Sequence, residues 1–85
     1  MSDAQYEDLG FGFEIQRSNS TKLVVKATSV NGKEMIDIRT YYLDKGTNKY
    51  KPTSKGTTVD LEHARKFMLR FRKMYLAMQE AQLLP

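Results

Sequence analysis

From Leu61 to Leu84 the chain carries no glycine or proline, and Ala64, Phe67, Met68, Phe71, Met74, Tyr75 and Met78 recur along it at spacings of three and four. That pattern is one apolar stripe on a long α-helix. Asp60 stands where an N-cap is expected, and Glu62 falls in the first turn, where the helix dipole favours an anion. The stripe needs an apolar partner. In a chain of 85 residues that partner is either the segment before the helix or another copy of the same helix.

The segment before the helix has the other period. Phe13, Ile15 and Arg17 alternate with Glu14 and Gln16, as in a strand. Leu23 to Thr28 is a second strand, rich in β-branched residues. Asn31-Gly32 is a strong hairpin signal, because both positions adopt positive φ easily. Met35 to Tyr42 is the third strand, and Lys45 to Asn48 a turn. Tyr50 to Gly56 is expected to be irregular, since Pro52 gives no ladder hydrogen bond. Thr57-Thr58-Val59 is expected as a short fourth strand. Residues 1–10 are acidic and polar, and are expected to be loose, with residues 11–85 forming the domain. Strands followed by one helix predict an α+β fold.

A three- or four-stranded sheet gives one helix limited area to cover. Phe67, Met68, Phe71, Met74, Tyr75 and Met78 are therefore expected at a homodimer interface, where a second helix buries them symmetrically. There are no cysteines, which removes disulfides and Cys-based zinc sites. No apolar run approaches the length of a membrane span. The acidic start is the wrong sign for a targeting peptide, so an intracellular location is expected: cytoplasm or nucleoid in a bacterial or viral setting, nucleus in a eukaryotic one.

Charge is unevenly spread. Residues 1–16 hold Asp3, Glu7, Asp8 and Glu14 and no lysine or arginine, whereas the remainder carries fourteen basic and six acidic residues. A basic body suggests a polyanionic partner. Binding a single strand without sequence preference requires cations along the phosphates and aromatic faces for the bases. Lys22, Lys26, Lys33, Arg39, Tyr41, Tyr42, Lys45, Lys49, Lys51 and Lys55 supply both between the second strand and the loop after the third.

Alternation puts Ile36, Ile38, Thr40 and Tyr42 on one side of the third strand, and Asp37, Arg39 and Tyr41 on the other. If the isoleucines face the core, Tyr42 is buried and Tyr41 is exposed beside Arg39. Asp37 and Arg39 are placed for a surface ion pair, worth little in stability. Arg65, Lys66, Arg70, Arg72 and Lys73 read as a solvated helix face.

Nothing resembles a catalytic constellation. The one histidine, His63, sits in the first helical turn. Asp60, Glu62 and His63 are not expected to converge on one ion. No cofactor, metal or enzymatic activity is expected.

Ile36-Asp37-Ile38-Arg39-Thr40-Tyr41-Tyr42-Leu43-Asp44, then Lys51-Pro52, Lys55-Gly56 and Val59, resembles the transcriptional coactivator family called positive cofactor four. That family carries an "IDIREYW-hydrophobic-D" strand, a "KPGRKG" loop and a closing helix. Val30-Asn31-Gly32-Lys33 fits its upstream turn, and the resemblance covers roughly residues 13 to 80. It implies a ββββα fold, a curved four-stranded antiparallel sheet dimerising through the helix, that binds single-stranded DNA or melted duplex. By position, Arg39 matches the arginine that touches DNA, Tyr42 the aromatic that stacks on a base, and Lys33, Lys51 and Lys55 the loop lysines near phosphates. Lys22 and Lys26 lie near basic positions of the family. Val30 stands where the family has a stacking aromatic, Asn31 where it has a lysine, and Thr53-Ser54 where it has Gly-Arg. Arg17, Lys49, Tyr41 and Tyr50 are candidates to compensate. The resemblance ranks Tyr42 first as the stacking residue, and simple alternation ranks Tyr41. The short chain resembles a bacterial or viral form, in which single strands are handled in replication or recombination as readily as in transcription, with proteins of those processes as further partners.

Overall fold

A computed structural model describes residues 6–84. Four antiparallel strands, β1 (Tyr6–Gln16), β2 (Thr21–Val30), β3 (Lys33–Asp44) and β4 (Lys49–Asp60), form one open, curved sheet in sequential order. A single helix, α1 (Leu61–Glu80), follows without a linker. The α+β reading and the ββββα order hold.

The turns follow local chemistry. Asn31 and Gly32 adopt φ of 53° and 82°, and close the β2–β3 hairpin between the paired residues Val30 and Lys33. At the β3–β4 turn, the Asp44 carboxylate accepts the Gly46 N–H at 3.0 Å, and Asn48 takes the left-handed conformation at φ 58°.

Two strands are longer than alternation predicts. Tyr6, Glu7 and Asp8 pair with Val30, Ser29 and Thr28, so residues 6–10 are strand rather than loose. Residues 1–5 of that expected segment lie outside the described residues. The pattern was hidden because the register slips between Asp8 and Gly12. Gly10 turns there at φ 85°, its N–H donating to the Asp8 carboxylate at 2.8 Å. Gly12 is required by close approach, since a Cβ on it would lie 2.4 Å from the Val25 carbonyl oxygen. Similarly, β4 runs unbroken through Pro52, where a loop was expected. It is an edge strand with a register shift between Arg39 and Tyr41, and an edge position does not need the missing N–H.

The helix ends at Glu80, short of the expected Leu84, with Gln82 at φ 62°. The Leu83 N–H donates back to Met78 O at 2.9 Å, satisfying a terminal carbonyl. Asp60 occupies the N-cap position but makes no side-chain capping bond. Its carboxylate instead meets Lys33 Nζ at 3.3 Å.

Directly opposed residues share a face of the sheet. One face is polar: Gln16, Lys22 and Tyr41 in one row, Glu14, Val24 and Arg39 in the next, then Gly12, Lys26 and Asp37. The other is apolar: Ile15 with Leu23, Phe13 with Val25 and Ile38, Ala27 with Ile36 and Val59. The alternation expected for β3 therefore holds, but the expected burial does not. Among the described residues Val24, Thr28 and Asp37 are buried, all on the polar face. Tyr42 is exposed and Tyr41 half-buried, the reverse of the expectation. The isoleucine face has too little to cover it, because α1 rests chiefly on β3 and β4.

Val24 is the one buried hydrophobic residue among those described. Phe67, Met68, Phe71, Met74 and Tyr75 on α1 are exposed, as are Phe13 and Ile15 on the sheet. The chain presents 7096 Å² of accessible surface, against about 5200 Å² for a compact monomer of this mass. Its radius of gyration is 15.5 Å, against about 12 Å for a compact domain of this length.

Candidate nucleic-acid interface

The polar face gathers Tyr6 from β1, Lys26 from β2, Asp37, Arg39 and Tyr41 from β3 and Pro52 from β4 around a groove of about 420 Å³. Lys26 lies at its centre. Its ammonium is 5.4 Å from the centroid of the Tyr6 ring and 5.8 Å from that of Tyr41. Bonding to the Tyr6 side chain, and then to that of Tyr41, raises its pKa well above the ordinary lysine value. Lys26 is thus a cation set against two aromatic rings.

Arg39 is held more tightly. Its Nε donates to Asp37 Oδ2 at 3.2 Å, its Nη2 to Asp37 Oδ1 at 3.0 Å, and its Nη1 to the Thr53 carbonyl at 2.9 Å. The bond to Asp37 raises the Arg39 pKa further. The expected pair therefore forms, but as a bidentate pair with a buried carboxylate rather than an exposed one. It fixes the guanidinium plane and leaves two of its five N–H groups for a ligand. Gly56 opposes Arg39 across the strands. A Cβ there would lie 2.9 Å from Arg39 Cζ, so glycine gives the guanidinium its space.

Lys22 shares this face but is occupied. Its ammonium contacts Glu14 Oε1 at 2.8 Å and stands 4.2 Å from the centroid of the Tyr50 ring. The Tyr50 hydroxyl accepts from Gln16 Nε2 at 2.8 Å. Lys33 lies at the far end of the sheet, paired with Asp60.

The remaining predicted residues are on the other face. Tyr42 opposes Thr21 and Lys51, and Asp44 opposes Lys49. Arg17 reaches that side too, with Nη1 at 3.5 Å from Thr40 Oγ1. Lys51 is bound to Asp44 at 2.6 Å, whereas Arg17 and Lys49 have no carboxylate partner among the described residues. Lys55 is exposed on the irregular part of β4, its backbone N–H donating to Thr53 Oγ1 at 3.1 Å. The structure therefore brings Lys22, Lys26, Arg39 and Tyr41 together and separates them from Arg17, Tyr42, Lys49 and Lys51. Tyr6 belongs with the first group and was missed, because the slip at Gly10 breaks the alternation that would have aligned it.

Asp60, Glu62 and His63 converge more than expected, with one ligand atom from each within 4.8 Å of the others. His63 Nδ1 is 3.9 Å from both carboxylates. The Lys33 ammonium already neutralises Asp60, and the group reads as an exposed ion-pair cluster.

The Lys51 ammonium, and then the Gly46 N–H, hold the Asp44 carboxyl below its usual range. A folded pKa below the unfolded one contributes stability that is present above about pH 4 and is lost as pH falls through the folded value. Asp44→Asn is expected to flatten that part of the acid unfolding curve. The check is thermal unfolding of both forms from about pH 2 to pH 6.

The described residues thus define an open four-stranded meander with a closing helix and a groove lined by cations and tyrosines. The profile of the family described as Transcriptional Coactivator p15 (PC4) matches residues 17–69, more than half of the chain, and the protein belongs to that family. Among solved structures it is similar to BPSL1147, a PC4 homolog from Burkholderia pseudomallei. The TM-score is 0.66 at 16% identity, covering 94% of this chain and 99% of that one. It is also similar to the bacteriophage T5 homolog of the eukaryotic transcription coactivator PC4 implicated in recombination-dependent DNA replication. There the TM-score is 0.58 at 18% identity, covering 98% and 85% of the two chains. No curated protein sequence matches significantly. Among the described residues no helix is long and apolar enough to cross a membrane.

Proposed function

We propose that this protein is a homodimeric, largely sequence-independent single-stranded DNA-binding protein, acting in replication or recombination, or in transcription regulation. The observation that carries the reading is the groove of the polar face. Lys26 and Arg39 are fixed there beside Tyr6 and Tyr41, which is the combination of phosphate cation and base-stacking ring that single strands require. Family membership supports DNA as the ligand, and the phage homolog's implication in DNA replication favours that setting.

Burial supports the dimer. Among the described residues one chain buries a single hydrophobic side chain, too little for independent stability. The stripe of α1 continues onto the sheet: Val59, Phe67, Phe71 and Met74 line one largely apolar hollow, with His63, Lys66 and Arg70 completing its wall. A second copy of the helix laid against it supplies the missing core.

The test is titration of the protein into a fluorescent oligo-dT of about 20 nucleotides at several salt concentrations, with duplex DNA and RNA as competitors. If about five phosphates are neutralised, log K is expected to fall against log salt with a slope near −3.5. Binding that prefers the duplex, or none at low salt, would overturn the reading.

A further inference from the structure

The groove is bounded unequally across the sheet. β1, one edge, holds Glu7, Asp8 and Glu14 and no lysine or arginine. β2 beside it holds Lys22 and Lys26 and no acid. Two of the β1 carboxylates belong to the groove face. Asp8 stands in the row of Thr28 and Met35, and Glu14 in the row of Val24 and Arg39. They flank the row of Lys26 on either side, and in that row Gly12 contributes no side chain from β1. Asp8, Glu14 and Lys26 meet in one hollow at this edge.

Both charges stay open to the solvent. Asp8 is exposed, and its carboxylate accepts the Gly10 N–H at 2.8 Å without meeting a cation among the described residues. Glu14 meets Lys22 at 2.8 Å, yet its side chain is 58% exposed. A site meant only to attract phosphate gains nothing from carboxylates at its margin. Cations alone also favour the wrong ligand, since a duplex carries the denser charge, one per about 1.7 Å of axis.

The two ligands differ in what they bring to β1. A single strand has one line of phosphates, which Lys26 and Arg39 take along β2 and β3. A duplex is wider than the roughly 14 Å that four strands span. Seated on Lys26 and Arg39, it also lays a backbone over the β1 edge.

We propose that Asp8 and Glu14 are specificity-determining residues, an acidic rim that rejects duplex DNA by repelling its second backbone. The inference rests on the single-strand reading of the groove and assigns its selectivity to these two side chains.

The test compares one sequence of about 20 nucleotides as a labelled single strand and as a labelled duplex, by anisotropy at low salt, where such repulsion is least screened. Asp8→Asn with Glu14→Gln is expected to tighten duplex binding about tenfold or more and to change single-strand binding by less than about threefold. Asparagine still accepts the Gly10 N–H, and Glu14→Gln alone is expected to give part of the gain without touching that turn. The control is Glu7→Gln with Glu34→Gln, which removes the same charge from exposed residues of the opposite face, both in the row of Ser29. It is expected to leave the ratio of the two affinities unchanged. An unchanged ratio in the rim variants, with single-strand binding intact, overturns the inference and leaves the single-strand reading standing. An equal gain in the control overturns it by showing that net charge alone acts. A parent protein that binds the single strand no better than the duplex overturns both.

Discussion

Phe71→Glu is expected to abolish the dimer and with it the fold. Phe71 sits mid-stripe, 55% exposed in one chain, with its ring 5.9 Å from that of Phe67. Truncating one fully buried phenylalanine costs about 3–5 kcal/mol, and a dimer contains two. An unpaired carboxylate at an apolar interface adds its own desolvation penalty. Because a single chain buries only Val24 among its described hydrophobic residues, dissociation leaves little to hold the sheet. Sedimentation velocity and far-UV circular dichroism check this. The variant is expected as a ~10 kDa species with much reduced ordered structure. A dimer of unchanged stability would show that the stripe is not the interface. The unsubstituted protein is expected to melt at a temperature that rises with concentration, as coupled folding and association require.

The second large effect concerns the two adjacent tyrosines. Tyr41 shares the groove with Lys26 and Arg39, while Tyr42 opposes Lys51 on the other face. Removing a stacking ring costs about 1–3 kcal/mol per base. Tyr41→Ala is therefore expected to weaken oligo-dT binding by about five- to 150-fold, and Tyr42→Ala to change it much less. The opposite order would place the strand over the lysine-rich end of the other face, as the family resemblance ranks it. Arg39 needs a matched control. Arg39→Ala alone leaves the Asp37 carboxylate buried without its partner, and a stability loss would obscure the binding loss. Arg39→Ala with Asp37→Asn removes both charges and keeps a packed amide. It is expected to fold and to bind at least tenfold more weakly, at roughly 1.4 kcal/mol per tenfold.

The departures from the family motif acquire meaning in this setting. Thr53 stands where the motif has glycine, yet its carbonyl accepts from Arg39 and its hydroxyl donates to Thr40 O at 2.8 Å. This part of β4 thus contributes by positioning Arg39. Val30 lacks the ring that the family places there, and Tyr6 lies directly opposite it in the sheet. An aromatic face is thereby returned to the same part of the groove from a different strand.

What the sequence by itself determined is what depends on neighbours in the chain. Asn31-Gly32 specified its hairpin because left-handed φ is a local preference. The three- and four-residue spacing specified the α1 stripe because helical geometry is local. Asp37 and Arg39 were legible as partners because two residues apart on a strand is one face. Tertiary structure alone decided the extent of β1 and β4, since a slip of two residues at Gly10 or beside Pro52 is corrected only by the strand alongside. It alone brought Tyr6 to Lys26, which requires the β1–β2 register. It also decided which face is sheltered. Alternation gives two faces without saying which one the sheet curves around, and here the polar face holds the buried side chains while the apolar face and the helix stripe stand open in a single chain.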